Sequence, residues 1–395
     1  MVRRIDINDA TIGTWGAVAS LMRTQMRNGD FENTVVTLTW SEDQPSLAIG
    51  NYEDADQFDV DLVRDQGVTA GRVYHSGGGG SGIFTPAIPL VLVYYKHDEH
   101  DKDENSLLKH FDELNGKANA AALQKVGLDG EYRSIGDAEV VLDDNRYKVM
   151  ACAATNFPQS EYWAIVSSPI WGAPPQEYAE LMDEAIDMPR EKFSDKDTDS
   201  LTSRMRPISA ILDDLGKDVS KDDLVDAVVE ENVKRLIDDD EEIVEEELDD
   251  DEAEFIDDMV PFFESDPWID RISTSELCKS VPKHLEIGIA AYKSRKLIKA
   301  GVVFDDDGTI YDIQFSGDFY FRPALPITST SVLDDLANAV TGLDPENQEA
   351  LKNAIGEVFD RPDMEFPRLE PTDFAQPIVR ATNNTQPVTD YIDEN

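Results

Sequence analysis

The sequence predicts an α/β (α+β) fold, with a mostly antiparallel or mixed central sheet flanked by helices and a smaller C-terminal α+β domain. Three observations carry this expectation. Short apolar, β-branched segments recur between Val35 and Ser167, with amphipathic helical segments among them. From Pro174 to Leu236 the pattern is mainly helical, and 238–258 then holds 15 acidic residues in 21. Beyond that run, two more strand segments enclose Asp306, Asp307 and Gly308, a hairpin-turn signature, and two helical segments follow. The expected boundaries are 1–200 for the main domain, 201–272 for a helical and acidic connection, 273–385 for the C-terminal domain and 386–395 for a tail.

Taken in order, Thr11–Asn28 reads as a helix with Trp15, Val18, Met22 and Met26 on one face and Gly29 as its stop. Val35–Trp40 and Ser46–Gly50 read as strands, and Asp59–Gln66 as a short helix closed by Gly67. Val68–Tyr74 and Pro89–Tyr95 are strands on either side of a glycine run. Ser106–Val126 is a helix interrupted by Gly116. Ala138–Leu142 and Tyr147–Ala153 are strands joined by a turn at 143–146, and Tyr162–Ser167 is another. Within the acidic run, Val244, Leu248, Phe255 and Met259 recur at helical spacing, so a solvated amphipathic helix is expected there. Lys279–Lys299 holds five Lys and one Arg, read as an ion-pairing face against the acidic belt. Ala300–Phe304 and Ile310–Phe315 form the hairpin, and Val332–Val340 and Glu346–Phe359 the closing helices.

Composition sets the class. The 395 residues are 41% hydrophobic, enough for two domains with real cores. Asp plus Glu number 82 against 35 Lys plus Arg, a formal net charge of −47. Such a chain repels itself unless salt screens it, and at 1 M the screening length is about 3 Å. A halophilic cytoplasm is therefore expected. The same field disfavours nucleic acid as a partner. Cys152 and Cys278 exclude a disulfide scaffold and a cysteine-based zinc site. The five histidines show no ligand spacing; His97 and His100 fall in an acidic loop. No apolar run reaches about 18 residues, so no membrane partner is expected.

The motif with chemistry is Ser76, Gly77, Gly78, Gly79 and Gly80, set between two strands. Successive glycine amides make a concavity that holds an anion. No Gly-Lys-Ser/Thr follows and no helix opens after it, so neither a Walker A loop nor a dinucleotide fingerprint is present. By itself the run also fits a surface loop. Lys148, on a later strand, supplies a compact positive charge.

With those residues in place, the chain resembles the lipoate–protein ligases, within the wider biotin/lipoate ligase and octanoyltransferase family. Leu38–Trp40, Pro45–Gly50 and Asp59–Gly67 resemble the approach to that family's glycine motif, and Ser76–Gly79 its heart. Tyr147–Ala153 resembles the strand carrying the essential lysine, and Ser203–Leu236 the helices beyond. Ile313–Phe321 with Leu333–Leu343 resembles the accessory C-terminal domain. The resemblance implies a two-step reaction. ATP and lipoate, assisted by Mg²⁺, give lipoyl-adenylate; the acyl group then passes to a lysine on a lipoyl carrier domain of a 2-oxoacid dehydrogenase complex or glycine-cleavage protein. It places the essential lysine at Lys148, and the substrate and adenylate contacts at Ser76, Gly77, Gly78, Gly79, Arg72, Tyr74 and Asp137. The family's arginine pair falls at Val73 and Tyr74 here, with a single arginine at Arg72, and its later His-Gly pair at Ser168 and Pro169.

Two other readings stay open: a scaffold of the same fold that binds without catalysing, and a transferase using a Cys152 thioester. Cys152 lies four residues from Lys148, on the same face of an ideal strand.

Overall fold

The computed structural model describes residues 1–74, 80–96, 110–133, 137–142, 145–156, 162–187, 189–193, 206–321 and 331–394. The chain opens with β1 (Val2–Ala10), α1 (Ile12–Asn28), β2 (Thr34–Trp40), β3 (Ser46–Ile49), α2 (Val60–Asp65), β4 (Thr69–Arg72), β5 (Gly82–Phe84) and β6 (Leu90–Lys96). A single π-helical turn, His110–Asn115, leads into α3 (Gly116–Lys125), then β7 (Gly130–Arg133), β8 (Asp137–Leu142), β9 (Asn145–Asn156) and β10 (Tyr162–Pro169). There follow α4 (Gln176–Ala185), α5 (Ile208–Asp214), α6 (Lys221–Leu236), β11 (Ile243–Glu245), α7 (Asp250–Phe263), α8 (Asp266–Ile269) and α9 (Thr274–Ser280). The C-terminal part holds β12 (Glu286–Lys293), β13 (Leu297–Phe304), β14 (Ile310–Gly317), α10 (Ser331–Val340), α11 (Gln348–Phe359), α12 (Pro371–Ala381), β15 (Thr385–Pro387) and α13 (Val388–Glu394).

The main sheet has eight strands in the order β11-β1-β2-β6-β10-β9-β8-β7. β11, β1 and β2 are mutually parallel, and every later pairing is antiparallel. The parallel pair β1/β2 needs a crossover, and α1 supplies it. A helix forms there because Trp15, Val18, Met22 and Met26 recur on one buried face, and Gly29 ends it at φ 82°. α1 and α7 cover one face of the sheet, packing on Ile5, Val36, Leu92, Ala164 and Val166. At Gly16 the helices nearly touch: an added Cβ would lie 2.5 Å from the Phe263 ring. α3, α5 and α6 cover the opposite face over Val35, Val93, Ile165, Met150 and Val140.

A small sheet, β4-β3-β5, stands beside the large one with α2 and α4. The C-terminal sheet, β14-β13-β12-β15, is antiparallel throughout. The Asp305–Gly308 turn joins β13 to β14, with Gly308 at φ 80° and Asp305 accepting from Thr309. Helices α10–α12 pack on one face of this sheet and α9 with α13 on the other.

Several expectations change. The acidic run is not one helix: Val244 lies in edge strand β11, paired to β1, and the helix starts at Asp250 behind a capping box of Asp249 and Glu252. β1 lacks an alternating pattern because its polar positions face charged partners, as where Arg4 meets Asp226 and Asp6. The expected helix from Ser106 is described from residue 110, and its start lies outside the described residues. Residues 385–394 form β15 and α13, with Val388 and Tyr391 buried, so the expected tail carries packed secondary structure through these residues. In the basic stretch, Lys299 and Lys279 pair with Asp54 and Glu276.

Lys299 and Asp54 make a buried ion pair, at 2.9 Å with Asp54 fully buried. Burial alone raises a carboxyl pKa, but Lys299 and the Thr274 hydrogen bonds overcome it and hold Asp54 below the usual range. A depressed carboxyl stabilises the fold above its unfolded pKa, and that contribution disappears as pH falls through the folded value. Asp54→Asn is expected to cost about 3 kcal/mol at neutral pH and to flatten the loss of stability below about pH 4. Urea unfolding across pH at fixed salt checks both, and an unchanged acid limb in the variant counts against the pair.

Candidate active site

Lys148 owes its position to one extra residue. On β8, Ala138 faces Met150 and Glu139 faces Lys148, so two steps along β9 oppose one step along β8. This is a β-bulge at Val149, and it puts the side chains before and after it out of phase. Val149 and Met150 are both fully buried in one core, with Ala138 and Val140 under α3 and α6. Lys148, opposite Glu139, therefore lies on the other face. Its Nζ is 2.8 Å from Asp137 Oδ1, with the two side chains 34% and 28% exposed.

Beyond the bulge, alternation puts Ala151 and Ala153 on the Lys148 face. Both are half-buried, whereas Ala164 and Val166 on neighbouring β10 are buried under α1. The helical cover thus thins at β9. Across the pairing, Ser168 stands opposite Ala151 and Val166 opposite Ala153. The result is an ammonium at one end of a strip paved with methyl groups, on the face that also carries the core around Tyr74.

Cys152 is on the opposite face, which corrects the expectation from an ideal strand. It packs against the core under α3, where Asn119 Nδ2 donates to its Sγ at 3.0 Å. Burial pushes the thiol far above its ordinary pKa, which leaves it protonated and a poor nucleophile. Asn119 also bonds Asn115 and receives from Asn232, so the thiol sits in a buried amide network.

Ser76, Gly77, Gly78 and Gly79 lie outside the described residues; the segments leading into and out of them are described. Arg72 is fully buried in the framework. It donates to the carbonyls of Gly50 (2.9 Å), Glu53 (2.6 Å), Ile269 (2.8 Å) and Ile272 (3.2 Å). Burial, then Arg271, pushes its pKa down to about 9, so it remains charged at neutral pH. Its donors are committed to backbone. Tyr74 is buried too: its ring stacks on Phe263 at 5.5 Å and its hydroxyl accepts from Arg23 at 2.7 Å. Lys148 and Asp137 are thus brought together, while Arg72 and Tyr74 brace the chain before the glycines. Phe84, beyond them, packs on Trp15 and Trp40, an aromatic cluster drawn from three separate segments. Among the described residues no three His, Cys, Asp or Glu side chains gather at metal-binding geometry, so no Mg²⁺ ligand set is assigned. No helix among the described residues is long and apolar enough to cross a membrane.

No protein-family profile matches the sequence, and no curated protein matches it. Solved structures do resemble it. One belongs to an archaeal lipoylation system from Thermoplasma acidophilum, a bi-partite lipoate protein ligase and its E2 lipoyl domain. It has a TM-score of 0.50 at 16% identity, covering 68% of this chain and 95% of that one. Another, P. falciparum LipL1 in complex with lipoate, has a TM-score of 0.58 at 11% identity, covering 100% of this chain and 98% of that one. The chain shares its fold with the lipoate–protein ligases.

Two outcomes follow from the packing. Arg72→Lys is expected to lose more than about 3 kcal/mol, because one ammonium cannot span carbonyls on two segments. Denaturant unfolding reads this. Cys152 and Cys278 are expected to resist a thiol reagent at pH 8 until urea is added; rapid labelling of Cys152 in the folded protein would restore it as a candidate nucleophile.

Proposed function

We propose that the chain is an ATP-dependent lipoate–protein ligase. The observation that carries this reading is the bulge-directed placement of Lys148 at the end of an alanine-paved strip. The P. falciparum chain that matches along the whole length is a lipoate complex, and the Thermoplasma protein is described with its E2 lipoyl domain. Both support lipoate as the acid and a lipoyl domain as the acceptor.

In the proposed reaction, a lipoate carboxylate oxygen attacks the α-phosphorus of ATP, taken as its Mg²⁺ complex, and pyrophosphate leaves. The unprotonated ε-amine of a carrier-domain lysine then attacks the acyl carbon. An amide forms, AMP leaves and the amine gives up a proton. Lys148 binds the carboxylate first and then faces the mixed anhydride, where its charge offsets the negative charge that develops. Amides at Ser76–Gly79 hold the phosphoryl side. Ala151 and Ala153 accept the acyl chain, because methyl groups leave a shallow floor with no polar atom to desolvate. Asp137 holds the ammonium in place until the substrate carboxylate replaces it.

A binding scaffold is the second reading, favoured by Val73 and Tyr74 standing, both buried, where the resemblance puts the family's arginine pair. The test is lipoate-dependent ATP–pyrophosphate exchange in multimolar KCl, chosen because the net charge is −47. Lys148→Met is expected to lower exchange by about 10²–10³-fold. Its thermal midpoint should stay near wild type, because Lys148 is 34% exposed. Folded wild-type protein without exchange activity would leave the scaffold reading.

A further inference from the structure

Resting on the ligase reading, we infer that Asn119 is a positioning residue: by holding the Cys152 thiol it fixes the register of β9 and so keeps Lys148 out of the core. The need for such a mark lies in the strand's own sequence. Residues 151–154 are Ala, Cys, Ala and Ala, four small side chains in succession. Their volumes distinguish the two faces of β9 only weakly, and a one-residue slip exchanges those faces. The residues on either side of Lys148, Tyr147 and Val149, both pack against the core beneath α3 and α6. A slip in either direction therefore carries Lys148 to a core-facing position.

One side chain in the run differs in kind. Cys152 carries a sulfur that accepts a hydrogen bond, where an alanine offers nothing. Asn119 Nδ2 donates to that sulfur at 3.0 Å and to Asn115 Oδ1 at 2.7 Å. Asn119 Oδ1 accepts from Asn232 Nδ2 at 3.1 Å, and Asn232 Nδ2 also reaches the Val228 carbonyl of α6 at 2.8 Å. Ser167, opposite Cys152 on β10, donates to Asn115 Oδ1 at 3.4 Å. A chain of amides running from α3 to α6 thus meets the thiol. Asn115, Asn119 and Asn232 are fully buried beside an apolar core. Asn115 Nδ2 and Asn232 Oδ1 have no hydrogen-bond partner among the described residues. Two unmet polar atoms cost stability that well-packed hydrophobic side chains in their place would not. What the network contributes is specificity: it accepts one residue of the run and rejects its neighbours.

The test uses the full chain in multimolar KCl, with Cys152→Ala, Cys152→Ser and Asn119→Leu. Lys148 is labelled with an amine reagent and read by mass spectrometry, with the exposed Lys117 and Lys125 as internal standards. Amide hydrogen exchange over 149–154 should accelerate at least about ten-fold in Cys152→Ala and Asn119→Leu. With two registers at comparable populations, labelling of Lys148 should fall to about half or less. Pyrophosphate exchange should lose kcat by the same factor at an unchanged KM for ATP, because molecules in the native register keep an intact site. Cys152→Ser, whose hydroxyl accepts the same amide hydrogen, should restore all three. The direction of labelling separates this from plain destabilisation: unfolding exposes Lys148 and raises its labelling, whereas a slip buries it. Labelling of Lys148 that is unchanged or raised in folded Cys152→Ala overturns the inference. That variant removes a single sulfur atom, so it carries the test should Asn119→Leu fail to fold. Absence of activity in wild type would reject the ligase reading alone, and Lys148 labelling with amide exchange would still decide the role of Asn119.

Discussion

The structure depends on a buried guanidinium. Arg72 ends β4 of the small sheet, and carbonyls from two separate segments, 50–53 and 269–272, surround it. An unpaired charge in that place would be prohibitive. It is tolerated because the fork of the guanidinium matches several fixed acceptors at once, and because Asp54, Glu53 and Asp270 supply negative charge nearby. Each carbonyl is itself a buried group that needs a donor. The arginine therefore satisfies carbonyls of the turn 50–53 and of the stretch 269–272, where α8 ends.

From that turn the other constraints radiate. Tyr52 stacks on Phe319 at 5.5 Å, and its carbonyl accepts from the Gly317 amide, which locks the turn to the C-terminal sheet. Asp54 takes Lys299 and Thr274. Asp56 takes Ser273, Ser275 and the hydroxyl of Tyr391, near the last residues of the chain. Three acids in four residues thus do interior work in a protein whose acidity is mostly a surface property. The distinction matters for salt. Buried pairs are screened weakly, so multimolar ions that quiet the surface leave this joint intact. Exposed pairs such as Lys117–Glu113 and Arg146–Glu131 contribute little by comparison.

What sequence could reveal divides along the same line. Local signals were legible: the α1 stripe and its Gly29 stop, the 305–308 hairpin, and the strand that carries Lys148. Signals set by tertiary partners were not. Nothing in Arg72 distinguishes an arginine aimed at a phosphate from one saturated by carbonyls, since both precede glycines on a strand. Val244 matched a helical spacing because the acids around it erased the alternation of an edge strand. Glu53 was invisible because its partner amide lies 28 residues away. Only Ile243 and Val244, an adjacent β-branched pair, hinted at β11.

The bulge at Val149 shows how such a non-local feature decides chemistry. With regular pairing, a strand carrying Met150, Cys152 and Ala154 inward would also bury Lys148 beneath α3, and the ammonium would have to lose its charge or find an interior partner. One inserted residue lets Val149 and Met150 share the core and turns Lys148 to the open face. There its bond to Asp137 is partly exposed, and pairs of that kind are worth only about 0–1 kcal/mol. That weakness is useful. In the proposed reaction a substrate carboxylate exchanges for Asp137 at small cost, whereas a buried partner such as the one Lys299 holds would not let go. The two lysines make the same contact in opposite surroundings. Burial makes one a rivet, and exposure leaves the other available to a ligand.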